Sequence, residues 1–149
     1  SVEVIADGVH LHPAILELIY KLKAVDEINL ISDCINAGGM SDGQYKLGEL
    51  QVNVENGIAR TKEGSLAGST LTLEKAVRNM SNIKGIYFRD AVHMASFSPA
   101  KFLDIDASKG SIKEGKDADF CVLGASGEVV MTIIGGEIVY NQSDKQIRN

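Results

Sequence analysis

The apolar positions predict a strand–helix–strand unit at the start of the chain. Segments 2–6 (VEVIA) and 28–32 (INLIS) are short and almost continuously apolar, which is typical of strands covered on both faces in a parallel sheet. Between them, apolar residues recur at helical spacing, and Pro13 suits a first helical turn. We therefore expect two parallel strands joined by a helix in a right-handed crossover.

The pattern then changes to short alternating segments separated by turn residues. Segments 44–47, 50–55 and 58–61 predict small antiparallel strands, and the sequence ENG at 55–57 is a hairpin signal.

Helical spacing returns after residue 69. Two apolar stripes predict helices: Leu73, Ala76, Val77 and Met80 form the first, and Phe88, Ala91, Val92 and Ala95 the second. We expect Ser69 or Thr70 to cap the first helix. Ser98 and Pro99 fit the N-cap and first position of a short third helix.

The last part of the chain predicts antiparallel strands joined by glycine turns. A change of composition at 108–115 suggests an α/β part over residues 1–107 and a small β part over 108–149.

Composition narrows the possible function classes. Of the 149 residues, 44% are hydrophobic, enough for a buried core, and the net charge of -5 argues against nucleic acid or an anionic membrane surface as partner. No apolar run approaches the roughly 20 residues of a membrane span. Cys34 and Cys121 form no disulfide pattern, which favours a reducing compartment and two small buried thiols.

Polar residues follow both predicted parallel strands. Asp7 to His10 follow the first strand and Asp33 follows the second. Functional groups gather at the carboxyl ends of parallel strands, and neighbouring strands lie about 4.8 Å apart. A carboxylate and an imidazole meeting there can divide acid–base work. The pattern leaves open the alternative that both aspartates only cap turns.

The histidines at 10 and 12 raise the question of a metal site. Residues two apart in an extended segment point the same way, but Pro13 follows at once, so we expect His12 at a helix entry. A zinc site needs three or four ligands, and we expect no complete metal site from this chain alone.

The segment SLAGST at 65–70 precedes a predicted helix. Free N–H groups there, with Gly68 beside them, would let a ligand approach the backbone. A tight turn with a helix cap explains the same residues.

Several segments in order resemble one family. ADGVHLHP, ISDCINAGGMSDGQYKLG, GSLAGSTLTLEKAVRNM, AVHMASFSPAKFL and KGSIKEGKDADFCVL are together similar to the C-terminal part of the N-acetylglucosamine-6-phosphate deacetylases, in the metal-dependent amidohydrolase superfamily. The last segment is shared more widely among amidohydrolases.

The resemblance implies a fold and a reaction. The fold class is α/β: the last two βα units of a (β/α)8 TIM-type barrel, with residues 1–107 holding strands seven and eight and residues 108–149 forming part of a small β-sandwich. The implied reaction is hydrolysis of N-acetylglucosamine 6-phosphate to glucosamine 6-phosphate and acetate. Another amidohydrolase activity, or a noncatalytic sugar-phosphate-binding module, are the alternatives.

The resemblance also assigns site residues. Asp33 matches the catalytic aspartate that takes a proton from a metal-bound water and delivers it to the leaving amine. Two segments match substrate-contacting stretches of the family: Asp7, Gly8, Val9 and His10, and Leu66, Ala67 and Gly68.

The family's metal ligands and main phosphate-binding residues have no counterpart here. The resemblance therefore implies a chain that starts at the seventh barrel strand, a divalent metal (zinc or iron) held only in the full-length enzyme, and no turnover by this chain alone. We expect an amino-sugar phosphate as ligand, a cytoplasmic location, and a homo-oligomer, such as a dimer, formed through the free edges of the first two strands.

Overall fold

The computed structural model describes residues 1–146, so the final three residues of the predicted β part, 147–149, lie outside the described residues. Three small sheets and four α-helices form the described part of the chain. No helix in that part combines the length and apolar character needed to cross a membrane.

The first sheet holds two parallel strands. Strand β1 (Val2–Ile5) pairs with β2 (Ile28–Ile31) with Val2 opposite Ile28, and helix α1 (Pro13–Leu22) and a 3-10 turn (Val25–Glu27) connect them. His12 is the N-cap of α1, and its Nδ1 accepts a hydrogen bond from the Ala14 N–H at 3.2 Å. The strand–helix–strand prediction and the place of His12 at the helix entry are confirmed.

The second sheet is an antiparallel meander. Its strands are β3 (Gly43–Leu47), β4 (Leu50–Glu55) and β5 (Ile58–Thr61). Asn56 and Gly57 both have positive φ, 52° and 73°, as a two-residue hairpin turn requires, so the hairpin prediction is confirmed. Its buried residues form a cluster of their own: Ala37, Val52, Val54, Ala59 and Ala67.

Two helices cover the parallel sheet. Helix α2 (Leu73–Ser81) and helix α3 (Phe88–Phe102) pack against β2 and each other. Met80 and Met94 are fully buried with Val4, Ile28 and Leu30 in the main core. Each such side chain contributes roughly 1.5–3 kcal/mol by leaving water.

Two details of the helix predictions are wrong. Helix α2 begins after Thr72, not after Ser69 or Thr70, because the Ser69 hydroxyl bonds instead to the Ser32 carbonyl.

Ser98 and Pro99 start no separate helix but lie inside α3. The buried Ser98 hydroxyl donates to the Val25 carbonyl at 2.9 Å, and α3 continues through Pro99 although proline has no N–H to donate.

The C-terminal residues form an antiparallel sheet, as predicted. Its strands are β6 (Phe120–Leu123), β7 (Val129–Ile134) and β8 (Glu137–Asn141), followed by a short helix α4 (Gln142–Gln146) that the pattern did not predict.

Cys34 and Cys121 are exposed, so the prediction of two buried thiols is wrong. Cys34 lies in the loop after β2. Cys121 lies in β6, where it and Val122 are exposed.

An ionic contact joins the turn before β2 to α3. The Asp26 carboxylate accepts hydrogen bonds from Lys101 Nζ at 2.7 Å and from His93 Nε2 at 3.0 Å. These hydrogen bonds, that of Lys101 first, lower the pKa of Asp26 below its ordinary value of 3.8. A lowered pKa means that the contact stabilises the fold at neutral pH, and that this stabilisation is lost as pH falls through the pKa of the folded state.

We expect Asp26→Asn to lower the free energy of unfolding at pH 7 by about 0.2–1 kcal/mol, the range for exposed pairs. The loss should shrink as pH falls through the folded-state pKa of Asp26, because the parent carboxyl then becomes neutral as well. Urea unfolding at pH 7 and at the lowest pH where the chain stays folded measures it. Glu114→Gln is the control, since the exposed Glu114 makes no ion pair within residues 1–146. An equal loss at both pH values would contradict the prediction.

Candidate functional site

The turn after β1 is closed by its own aspartate. Asp7 Oδ1 accepts the N–H groups of Val9 and His10, both at 2.9 Å, and Asp7 Oδ2 lies 2.7 Å from His10 Nδ1. Gly8 has φ +75°, which a side chain would disfavour. Asp7 therefore does cap its turn, and it also holds the imidazole.

The environment of Asp7 favours its charged form. Burial alone would raise the pKa of Asp7, since the side chain is only 13% exposed. Hydrogen bonds from the backbone and ring of His10 and from the Val9 N–H outweigh that effect, and the pKa is lowered. Asp7 is thus a carboxylate with both oxygens engaged.

Asp33 lies at the equivalent place after β2 but in a different environment. Its φ of 48° is in the left-handed region, which costs a residue with a side chain about 1 kcal/mol. Its carbonyl accepts the Ser69 N–H at 2.8 Å. Among the described residues no group donates a hydrogen bond to its carboxylate, and the residue is exposed.

Ser69 joins the loop at 66–71 to the end of β2. The Ile35 N–H donates to the Ser69 carbonyl at 2.9 Å, and Cys34 and Ser69 form a parallel bridge. The buried Ser69 hydroxyl donates to the Ser32 carbonyl and accepts from the Leu71 N–H, both at 2.7 Å. This clamp places Gly68 against Asp33.

The gap between Gly68 and Asp33 leaves no room for a side chain. A Cβ at Gly68 would lie 3.1 Å from the Asp33 carbonyl oxygen, 3.6 Å from Asp33 Oδ2 and 2.6 Å from Ile35 Cγ2. The positive φ of Gly68, +71°, is a second reason for glycine.

A cavity of about 240 Å³ lies where these loops meet. Five of the site residues predicted from the sequence line this cavity: Asp7, Val9, His10, Leu66 and Gly68. Asp33 does not line the cavity but lies beside Gly68, which does, and Gly8 lies in the turn after β1. The Ala67 methyl is buried in the second cluster instead. The structure thus brings together the two strand ends and the loop at 66–71.

Three residues at this site were not predicted for the roles they have. The sequence pattern predicts Ser69 or Thr70 as a helix cap, whereas the Ser69 hydroxyl joins its loop to the end of β2. Lys75, in α2, lines the cavity and is the only lysine or arginine among the lining residues within 1–146. Asn79 Nδ2 donates to the Ala6 carbonyl at 2.8 Å and fixes the end of β1. No sequence signal marks Ser69 or Asn79, because each bonds to a residue more than 35 positions away.

The described residues offer too few neighbouring donor groups for the metal that the resemblance implies. Within residues 1–146, no three His, Cys, Asp or Glu side chains come together in a way that could hold a metal ion. His12 Nδ1 is occupied by the Ala14 N–H. The described residues therefore do not fit a metal centre by themselves.

Comparison with known proteins gives a consistent picture. The profile of the Amidohydrolase family matches residues 1–139. The chain is 43% identical over 136 residues to the N-acetylgalactosamine-6-phosphate deacetylase of Escherichia coli O157:H7, covering 91% of this chain and 36% of that protein. It is 39% identical over 140 residues to the N-acetylglucosamine-6-phosphate deacetylase of Vibrio furnissii, covering 94% of this chain and 35% of that protein.

Solved structures agree in fold. The N-acetylglucosamine-6-phosphate deacetylase of Thermotoga maritima superposes with a TM-score of 0.86 at 40% identity, over 93% of this chain and 38% of that one. A mutant of the Mycobacterium smegmatis enzyme in complex with N-acetyl-D-glucosamine-6-phosphate gives 0.87 at 36%, over 95% and 38%. The chain spans about a third of the length of most curated relatives it matches.

We expect Gly68→Ala to lower the free energy of unfolding by about 1–3 kcal/mol more than Gly64→Ala, because the new methyl must displace Ile35 or Asp33. Gly64 is the matched control: its φ is also positive, +88°, but a Cβ there meets nothing within 4 Å. Urea unfolding measures both variants, and amide shifts of Asp33 and Ser69 report the displacement. Equal losses would contradict the close approach.

Proposed function

Because this chain belongs to the amidohydrolase family, we propose that it is the C-terminal third of an enzyme that deacetylates an N-acetylated amino-sugar 6-phosphate. The substrate we propose is N-acetylglucosamine 6-phosphate, hydrolysed to glucosamine 6-phosphate and acetate. The names of the Vibrio and Thermotoga relatives support this substrate.

One observation carries the proposal: two groups suited to acid–base work stand at adjacent ends of two paired parallel strands. Asp33 has a carboxylate with no donor among the described residues, and His10 is held by Asp7 at the wall of the cavity. Gly68 lies between them, touching Asp33 and lining the cavity. Amide hydrolysis needs a group that takes a proton from the attacking water and supplies one to the leaving nitrogen.

The proposed roles of these residues are the ones that the resemblance to the deacetylases implies. The Asp33 carboxylate takes a proton from the attacking water, the new C–O bond forms at the acetyl carbon, and Asp33 returns the proton to the amino nitrogen as the C–N bond breaks. His10 contacts the acetamido group, and Val9, Leu66 and Gly68 form the wall beside the sugar. Gly8 shapes the turn that presents His10, and Ala67 supports the wall from the second cluster. A divalent metal, zinc or iron, would have to be held by residues outside this set.

The family also gives the sheets their proposed places. We assign β1 and β2 to strands seven and eight of a (β/α)8 barrel, within residues 1–107, and β6–β8 to a β-sandwich within residues 108–149. We also propose a cytoplasmic location, since a phosphorylated sugar is charged and does not cross a membrane unaided.

A second candidate is the galactosamine epimer of the substrate. The Escherichia coli relative, named for N-acetylgalactosamine 6-phosphate, is the more identical of the two curated relatives compared above. Both epimers carry a phosphate, and Lys75 offers a cation at the cavity wall. Measuring kcat/KM of the full-length enzyme for both epimers decides between them: turnover of neither would overturn the proposal, and leave another amidohydrolase activity or a noncatalytic binding module.

In the full-length enzyme we expect Asp33→Asn to lower kcat by about 10²–10⁴-fold, because the amide cannot carry the proton. Bound metal, measured by elemental analysis, should stay unchanged. Asp104→Asn is the matched control, since Asp104 is also an exposed aspartate with positive φ, 57°. A near-normal kcat for Asp33→Asn would exclude the proton-transfer role.

We further propose that the chain forms a homo-oligomer, such as a dimer, through the first sheet. In the described chain β1 and β2 pair only with each other, so each has an open edge. Asn29 in β2 is 2% exposed, yet its amide nitrogen and oxygen have no hydrogen-bond partner within residues 1–146. A buried amide in that state destabilises the sheet of the 149-residue chain by about 1–3 kcal/mol.

Light scattering of the 149-residue chain over a range of concentrations tests this proposal. We expect the mean mass to rise toward twice the monomer mass of 16.0 kDa or beyond. A constant monomer mass at the highest concentration would contradict it.

A further inference from the structure

We propose that Asp7 acts through His10: it fixes the ring hydrogen on Nδ1 and leaves Nε2 as the nitrogen that meets the ligand. Asp7 is then a positioning residue and not a direct substrate contact. The catalytic consequence rests on the proposed function, whereas the position of the hydrogen can be measured without it.

The hydrogen bonds around Asp7 leave one assignment for the ring. Asp7 Oδ1 accepts two backbone N–H groups, from Val9 and His10. Those bonds hold the carboxylate so that Oδ2 faces His10 Nδ1 at 2.7 Å. An ionised carboxylate only accepts hydrogen bonds, and its lowered pKa keeps it ionised. Nδ1 must therefore carry the hydrogen.

The other two histidines of the chain have the opposite arrangement. His12 Nδ1 accepts the Ala14 N–H at 3.2 Å, so the hydrogen of a neutral His12 is on Nε2. His93 presents Nε2 to the Asp26 carboxylate at 3.0 Å, which again places a hydrogen on Nε2. His10 is thus the one histidine of the three in this chain whose contacts require Nδ1–H.

This assignment determines what His10 offers to the cavity. In the neutral ring, Nε2 carries a lone pair that accepts a hydrogen bond from an N–H or O–H of the ligand. Nε2 donates to a carbonyl oxygen only in the imidazolium form, in which Nδ1–H still faces Asp7 Oδ2 at 2.7 Å. In both forms the ligand-facing nitrogen is Nε2, and both depend on Asp7.

The test is Asp7→Asn. The amide oxygen can keep the bonds from Val9 and His10, but the amide nitrogen would then face His10 Nδ1 as a donor. Nδ1 would have to accept, and the hydrogen would move to Nε2. The geometry is kept and the tautomer is reversed, a change that lowers kcat by about 10⁴-fold in a catalytic triad.

Imidazole ¹⁵N shifts of the 149-residue chain, recorded at a pH where the histidines are neutral, read the tautomers directly. We expect Nδ1–H at His10 and Nε2–H at His12 and His93 in the parent, and a switch at His10 alone in Asp7→Asn. Asp26→Asn is the matched control, because it changes the aspartate beside His93 and should leave His10 as Nδ1–H. Nε2–H at His10 in the parent, which needs no variant, would overturn the proposal.

The full-length enzyme separates this inference from the proposed function. We expect Asp7→Asn to lower kcat by about 10²–10⁴-fold with KM changed less than fivefold. A direct Asp7–substrate contact would instead raise KM, and would overturn the positioning role. If the parent hydrolyses neither amino-sugar phosphate, the proposed function fails while the tautomer result stands.

Discussion

The parallel pairing of β1 with β2 is the constraint on which the rest of the site depends. Register Val2 to Ile28 makes both strands end at the same edge, so the residues that follow them, Asp7 and Asp33, leave the sheet side by side. The pairing itself depends on the core, where Val4 and Leu30 are buried under α2 and α3. Burial of apolar surface thus places two polar loops that share no direct hydrogen bond.

Buried hydrogen bonds convert that placement into a defined geometry. Ser69 fixes the loop at 66–71 to the end of β2, Asn79 fixes the end of β1 to α2, and Ser98 fixes the turn before β2 to α3. Each bond satisfies a backbone carbonyl that would otherwise be costly to bury. Their combined effect is that loops carry the polar groups while the scaffold holds the loops still.

The two aspartates show how surroundings divide one residue type into two uses. The two oxygens of Asp7 accept hydrogen bonds from three donors, one of which is His10 Nδ1, so the carboxylate orients the His10 ring. Asp33 has no donor on its carboxylate within the described chain, and it stands where glycine alone fits beside it. A carboxylate whose oxygens both accept hydrogen bonds can orient a neighbouring group. A carboxylate that accepts none is available for proton transfer. The same chemical group therefore supports two different proposals.

The sequence by itself determined the local elements, because hydrophobic period and turn residues act over short distances: β1, α1, β2, the hairpin at Asn56–Gly57 and the strands of the C-terminal sheet all follow from them. The strand-end rule also selected Asp7, His10 and Asp33 as neighbours. Only the tertiary structure decided that Ser69 clamps β2 instead of capping α2, that Ser98 and Pro99 continue α3, and that Asp7 holds His10. The first two depend on partners 37 and 73 positions away, and the third on the orientation of one carboxylate, which the order of residues does not encode.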